Sequence, residues 1–207
     1  MSLKLITPPS TQPVTLNEVK NALGYYCNDE DDKINGYILA ATEYAQEFQK
    51  KRVYITQTWE QYLQPEEKIA SCKPQIYPRL LSRYIEQVDT INILKTPVQA
   101  VVHIKYKDST GTEHTVDADN YILSNDGLIV SAYGKTIFPV FTPYPADAIT
   151  VRFTAGYGNA GDVPARIKQA IILLCKHFDY VDTNGRDKIA ENQLESAHRL
   201  LWLDRAW

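Results

Sequence analysis

The sequence predicts an α+β fold in which helices from both termini pack together, with an antiparallel β-rich insert between them. Three observations carry that expectation. Apolar residues recur at helical spacing in Ile34, Tyr37, Ile38, Ala41, Tyr44, Ala45 and Phe48, and again in Ile167, Ala170, Ile171, Leu174, Cys175 and Phe178. Between these stripes, from Val53 onward, the period falls to two. The strand-like runs there are short and separated by Gly, Asn and Asp, which leaves no room for parallel crossovers. The expected division is a discontinuous helical domain of residues 1–52 and 162–207 around a β-rich insert of residues 53–161.

Each element has a local cause. Thr15 and Glu18 in "TLNE" make a capping box, so a short helix should run to Gly24. The acidic "NDEDD" favours the start of a second helix, from about Glu30 to Lys51, because carboxylates stabilise a helix N-terminus. From Val53, the residues Val53, Ile55, Gln57, Trp59, Gln61 and Leu63 share one face of a strand, and Tyr54, Thr56, Thr58, Glu60 and Tyr62 the other. Further strands are expected at "TINIL", at "AVVHIKYKD" turning through "STGTE" into "EHTV", and at "NYIL", "GLIV" and "AITVRFTA", paired as an antiparallel meander. Prolines break any regular element in "QPEEKIASCKPQIYPRLLSRYIEQ", which is expected to be loop with some helix. "FPVFTPYPAD" is expected to be a loop ordered on its own chain or by a partner. Asp162 suits the N-cap and Pro164 the first turn of the second long helix, and "KIAENQLESAHRLLWLDRAW" can form a last one.

Composition narrows the function classes. With 207 residues, 44% hydrophobic and 23% charged, the chain can bury a sizeable core, and its net charge of -3 gives no overall basic field for nucleic acid. Its 14 tyrosines suit half-buried strands and surfaces that become interfaces. Cys27, Cys72 and Cys175 are odd in number without a C-x-x-C, which points away from disulfides and thiolate metal sites and toward small buried hydrophobes. No apolar run approaches the ~20 residues of a membrane span and "MSLKLITPPSTQP" lacks a signal-peptide core, so cytoplasmic synthesis and no membrane contact are expected.

The tempting catalytic motifs lack their surroundings. Gly156, Gly158 and Gly161 have G-x-G-x-x-G spacing between a strand and a helix. A dinucleotide site, however, needs glycine at the first helical turn and a following parallel strand with a carboxylate for the ribose. All three glycines precede Asp162 and no strand follows, so they are expected to form a sharp turn. "YGKT" at Tyr133–Thr136 lacks the earlier P-loop glycine, because position 129 is isoleucine, and "DEDDK" at Asp29–Lys33 lacks the glycine and glutamate of a calcium loop. His103, His114, His177 and His198 form no metal-ligand pair, and no serine lies in G-x-S-x-G. Lys50, Lys51 and Arg52 fit a solvated helix end better than a DNA footprint. No cofactor and no metal are expected, while an enzyme with a spatially assembled site and a DNA-binding accessory module stay open as alternatives.

The order of several segments resembles a known family. "LITPPSTQPVTLNEVKNAL", the acidic "DEDDKINGYILAATEYAQEF", "ITQTWEQYL", "ILKTPVQAVVHIKYKDSTGTEHTV", "AYGKTIFP" and "ITVRFTAGYGNAGDVPARIKQAIILLCKHF" follow one another as in the head-tail connector (adaptor, or head-completion) proteins of tailed bacteriophages and prophages. The resemblance covers roughly residues 3 to 180; the stretch from Pro65 to Gln87 is longer than that family's pattern and the region past Asp182 matches poorly. It implies a virion structural protein with no catalytic residues, docked as a ring of about twelve copies on the portal protein, extending the DNA channel toward a neck or tail-completion protein. The isolated chain can then be monomeric until the portal templates it. It also implies assembly in the bacterial host cytoplasm, residence in the virion neck, and no sequence-specific nucleic-acid contact. Within that frame Phe138, Phe141 and Tyr144 of "IFPVFTPYP" are candidate contacts to a neighbour, and Trp202, Leu203 and Trp207 of "RLLWLDRAW" candidate contacts to the portal, since both segments are richer in apolar surface than a free loop or chain end requires.

The glycine turn yields a direct test. Titration with NAD, NADP or ATP should leave the melting temperature unchanged; a saturable shift at micromolar ligand would restore the nucleotide site.

Overall fold

The computed structural model describes residues 2–63, 90–139 and 141–203. The chain divides into a β unit, Met1–Pro8 with Gln57–Ala155, and a helical unit, Pro9–Thr56 with Gly156–Trp207. The ambiguous segment of residues 65–87, with Cys72, lies outside the described residues.

In the helical unit, α1 (Leu16–Leu23) starts as its sequence dictates. Glu18 N–H donates to Thr15 Oγ1 at 3.3 Å, and Thr15 N–H donates back to Glu18 Oε2 at 2.6 Å. The linker to α2 (Asp31–Phe48) is tied by buried Lys20, whose Nζ reaches Asn28 Oδ1 at 2.9 Å and Asp31 Oδ1 at 2.6 Å. The acidic run therefore serves a helix start and a buried ion pair. α3 (Ala165–Asn184) presents Ile167, Ala170, Ile171, Leu174 and Cys175 to the core that also holds Ile34, Ile38, Ala41 and Ala45 of α2. At one end, Tyr25 and Tyr37 donate to Asp179 and Asp182, each at 3.1 Å, and Lys33 sits 2.9 Å from Asp182. α4 (Lys188–Trp202) is capped by Asp187, whose carboxylate accepts from Ile189 N–H and Ala190 N–H. Leu201 and Ala197 of α4 join the same core.

Two local expectations are corrected. Asp162 does not cap α3; its carboxylate accepts from Asn159 N–H at 2.8 Å within a short 3₁₀ turn, and Pro164 takes the N-cap position. Cys27 is exposed in the linker, whereas Cys175 is fully buried and its thiol is pushed up to about 12 by that burial.

The β unit holds eight strands among the described residues: β1 (Ser2–Thr7), β2 (Gln57–Leu63), β3 (Thr90–Asn92), β4 (Val98–Lys107), β5 (Glu113–Thr115), β6 (Tyr121–Leu123), β7 (Leu128–Ser131) and β8 (Ile149–Ala155). All pairs are antiparallel, in one sheet of order β1-β2-β8-β4-β5 and another of order β3-β7-β6. Among the described residues only β4–β5 and β6–β7 are hairpins, so the meander expectation gives way to a sheet centred on β8. β8 alternates buried and half-buried residues along its whole length, the pattern of a strand with one face in the core. Val151 and Phe153 from β8, Leu63, Ile104, Ile91 and Ile129 share one apolar core, so both sheets close on it. Gln61 joins them with its amide: Nε2 donates to Asn92 O at 2.9 Å and Oε1 accepts from Leu94 N–H at 3.0 Å.

Two boundaries differ from the sequence expectation. Residues 2–7, grouped with the helical domain by sequence, pair as a strand with β2. Residues 53–56, read as the start of β2, belong to the helical unit instead, with Tyr54 and Ile55 both in its core. Consecutive residues there are buried, which a half-exposed strand does not allow. Tyr54 Oη donates to buried Gln49 Oε1 at 2.8 Å, and Gln49 Nε2 donates to Leu201 O at 2.8 Å, linking three segments of the unit.

Two substitutions test these cores. Leu174→Ala should lower unfolding free energy by about 2–5 kcal/mol in urea titration, because the side chain is fully buried. Gly156→Ala should be more damaging than its size suggests: φ is +136° and an added Cβ would lie 2.6 Å from Ile55 O. A stable Gly156→Ala variant would show that the two segments do not approach as described.

Candidate functional site

The side chains that suggested chemistry are held in structural roles. Gly156 and Gly158 form a crossing of backbones, and a Cβ on Gly158, at φ +134°, would strike the Asp162 carboxylate. "YGKT" makes a tight turn closed by Lys135 N–H to Ala132 O at 3.0 Å. His114 Nε2 lies 2.8 Å from Asp108 Oδ2, His177 Nδ1 2.9 Å from Ala190 O, and His198 Nε2 2.8 Å from Tyr44 Oη, while His103 stands opposite Arg152 in the β4–β8 pair. Asp108 organises the β4–β5 turn: hydrogen bonds from the Thr110 hydroxyl, from His114 and from backbone amides hold its carboxyl well below the usual range. Glu60 is buried, which alone would raise its carboxyl, but bonds from Tyr62 Oη at 2.7 Å and from Arg152 at 2.8 and 3.1 Å outweigh that and lower it.

The proposed contact residues fall into two places. In the loop after β7, Phe138 is only 5% exposed and belongs to the core of the β unit. It meets Tyr106 edge-on at 5.9 Å, and half-buried Phe141 packs on the same ring at 4.5 Å. Phe138 is therefore packed inside its own β unit, and Phe141 is half-buried against it. Prolines and aromatics order this loop on its own chain, with Tyr144 N–H donating to Lys107 O at 3.1 Å. Tyr144 itself is exposed. Tyr133, which sequence reasoning passed over inside the failed P-loop match, stands wholly exposed on the preceding turn.

At the end of α4, aromatic rings run from one helix to the other. His198 stacks on Phe48 at 4.5 Å and 4°, and Phe48 is tilted against Trp202 at 6.4 Å. Burial, with His177 nearby, lowers the His198 pKa. Trp202 is 49% and Leu203 71% exposed, so the helix ends in outward-facing apolar surface. Trp207 lies outside the described residues.

Known structures share this fold. A chain of a native gene transfer agent virion aligns with TM-score 0.68 at 18% identity, covering 97% of this chain and 95% of that one. A chain from the neck of an empty gene transfer agent particle, computed with C6 symmetry, aligns with TM-score 0.69, 18% identity and the same coverage. One from the neck of the native particle, computed with C12 symmetry, gives 0.68 at 18%, covering 97% and 94%. No curated protein matches the sequence significantly. The sequence pattern described as phage gp6-like head-tail connector protein matches residues 13–137, more than half of the chain. The chain belongs to the phage gp6-like head-tail connector protein family.

Proposed function

We propose that this connector assembles as a ring of about twelve copies in the particle neck, seated on the portal protein and continuing the DNA channel toward a neck or tail-completion protein. The family match carries this reading. The fold shared with chains of gene transfer agent necks, one computed with C12 symmetry, supports it. The chain acts by binding, without catalysis, cofactor, membrane contact or sequence-specific recognition of nucleic acid. It is made in the bacterial host cytoplasm and ends in the virion neck.

A cyclic heterologous interface uses two different surfaces on each subunit. The end of α4, with Trp202 and Leu203 exposed and Trp207 beyond, is assigned to the portal. Tyr144 and Tyr133 are assigned to the neighbouring subunit, because Tyr133 is wholly exposed and Tyr144 41% exposed. Phe138 and Phe141 hold that loop in place from inside.

Co-sedimentation with purified cognate portal tests the reading. Wild type should bind, Leu203→Asp should weaken binding about tenfold or more, equivalent to ~1.4 kcal/mol, and Tyr144→Ser should bind portal yet close rings poorly. Wild type that binds neither portal nor heads lacking their own connector would end the connector assignment. Variants that bind and close like wild type would end only the assignment of the two surfaces.

A further inference from the structure

We propose that the outer edge of β1 docks an extended segment of a neighbouring particle protein of a different kind, added to the five-stranded sheet as one more strand. This rests on the connector reading. β1 lies at the end of the strand order and pairs with β2 alone; among the described residues nothing pairs with its other side. Along these six residues the alternate N–H and C=O groups that point away from β2 therefore have no strand partner among the described residues, the template that an incoming strand completes.

The side chains say what kind of strand fits. Leu5 stands opposite Trp59, on the sheet face that carries Phe153, and is 40% exposed at the edge. Lys4 stands opposite Glu60 on the other face. The Glu60 carboxylate is already occupied by Arg152 and Tyr62, so exposed Lys4 has no ion-pair partner among the described residues. A segment alternating apolar and acidic residues would cover Leu5 with the one kind and set a carboxylate beside Lys4 with the other. The irregular register between Leu5 and Thr7 and the prolines at 8 and 9 end the usable edge, which limits it to a short strand of set register.

The β1 edge of a second copy is the poorer occupant. Two β1 edges paired with each other would close a two-fold contact after two copies, leaving no ring.

Residue-resolved amide exchange on the full chain, free and in assembled particles, tests this. Strand addition should slow exchange about tenfold or more at alternate residues of β1, those whose N–H points away from β2, with the inward amides unchanged. Lys4→Gln should keep the melting temperature and portal binding of wild type, while retention of the neighbouring protein falls and loses its dependence on salt. Particles in which β1 exchanges as in the free chain overturn the proposal, as does uniform slowing of every β1 amide. Disulfide formation between two Leu5→Cys copies in the particle would assign the edge to a second copy and overturn it too. Wild type that never enters particles overturns the connector reading and this proposal with it.

Discussion

The helical unit is built from two stretches of chain, and the contact on which it depends is the backbone crossing where they meet. Tyr157 N–H donates to Tyr54 O at 2.9 Å, and Thr56 N–H donates to Gly158 O at 3.0 Å. The chain leaves for the β unit at Gln57 and returns at Gly156, so these bonds bring the two ends of the inserted stretch together. Only glycine fits at Gly156, where Ile55 O and C lie within 2.7 Å of any Cβ. The consequences reach further into the unit. With Tyr54 fixed, its hydroxyl holds Gln49, and Gln49 holds the last carbonyl but one of α4, so the end of that helix is positioned by the crossing. The backbone N–H and C=O groups of the crossing and the buried Gln49 amide are thereby paired, as groups removed from water must be.

This explains what the sequence shows and what it hides. Glycine spacing alone is common to phosphate cradles and tight crossings, and what separates them is that these glycines all precede the helix and that no strand follows it. The α2 and α3 stripes were legible because their period is local, and so were the Thr15–Glu18 box and the final helix. Strand order was not legible, since β8 pairs on both sides with strands far away in sequence and its alternation says only that one face is buried. Residues 53–56 read as strand because Val53 and Ile55 alternate with polar Thr56. Burial of Tyr54 between them belongs to a tertiary pocket that periodicity cannot see.

Legibility was uneven at the proposed contact surfaces too. Leu203 stands out because it lies just past the last core residue of α4, Leu201, and is left largely exposed, while Trp202 keeps about half its surface exposed beside Phe48. Phe138 and Phe141 look equally sticky in sequence, but an apolar residue in a proline-rich loop reads the same whether it turns inward or outward. Tyr106 and the β-unit core decide the question for Phe138. Tyr133 carried no signal, because a tyrosine beside a turn glycine is ordinary until its full exposure is known.

The charges of α3 show the same division between structure and surface. Acidic Asp179 and Asp182 lie toward its C-terminus, where a helix dipole disfavours them. They are stabilised there by Tyr25, Tyr37 and Lys33, which makes the mismatch a tie between α3 and the elements beside it. Hydrogen bonds from Lys33 and Tyr37 keep the Asp182 carboxyl below its ordinary range, so this tie persists at neutral pH and loosens only in acid. Such side chains are occupied within their own unit and cannot also be rearranged for a partner. Each unit closes a separate hydrophobic core, which leaves recognition to residues that neither core uses. Leu203, Tyr133 and Lys4 are exposed and lie outside both cores, so they can change without disturbing the fold, which suits the contacts proposed for them.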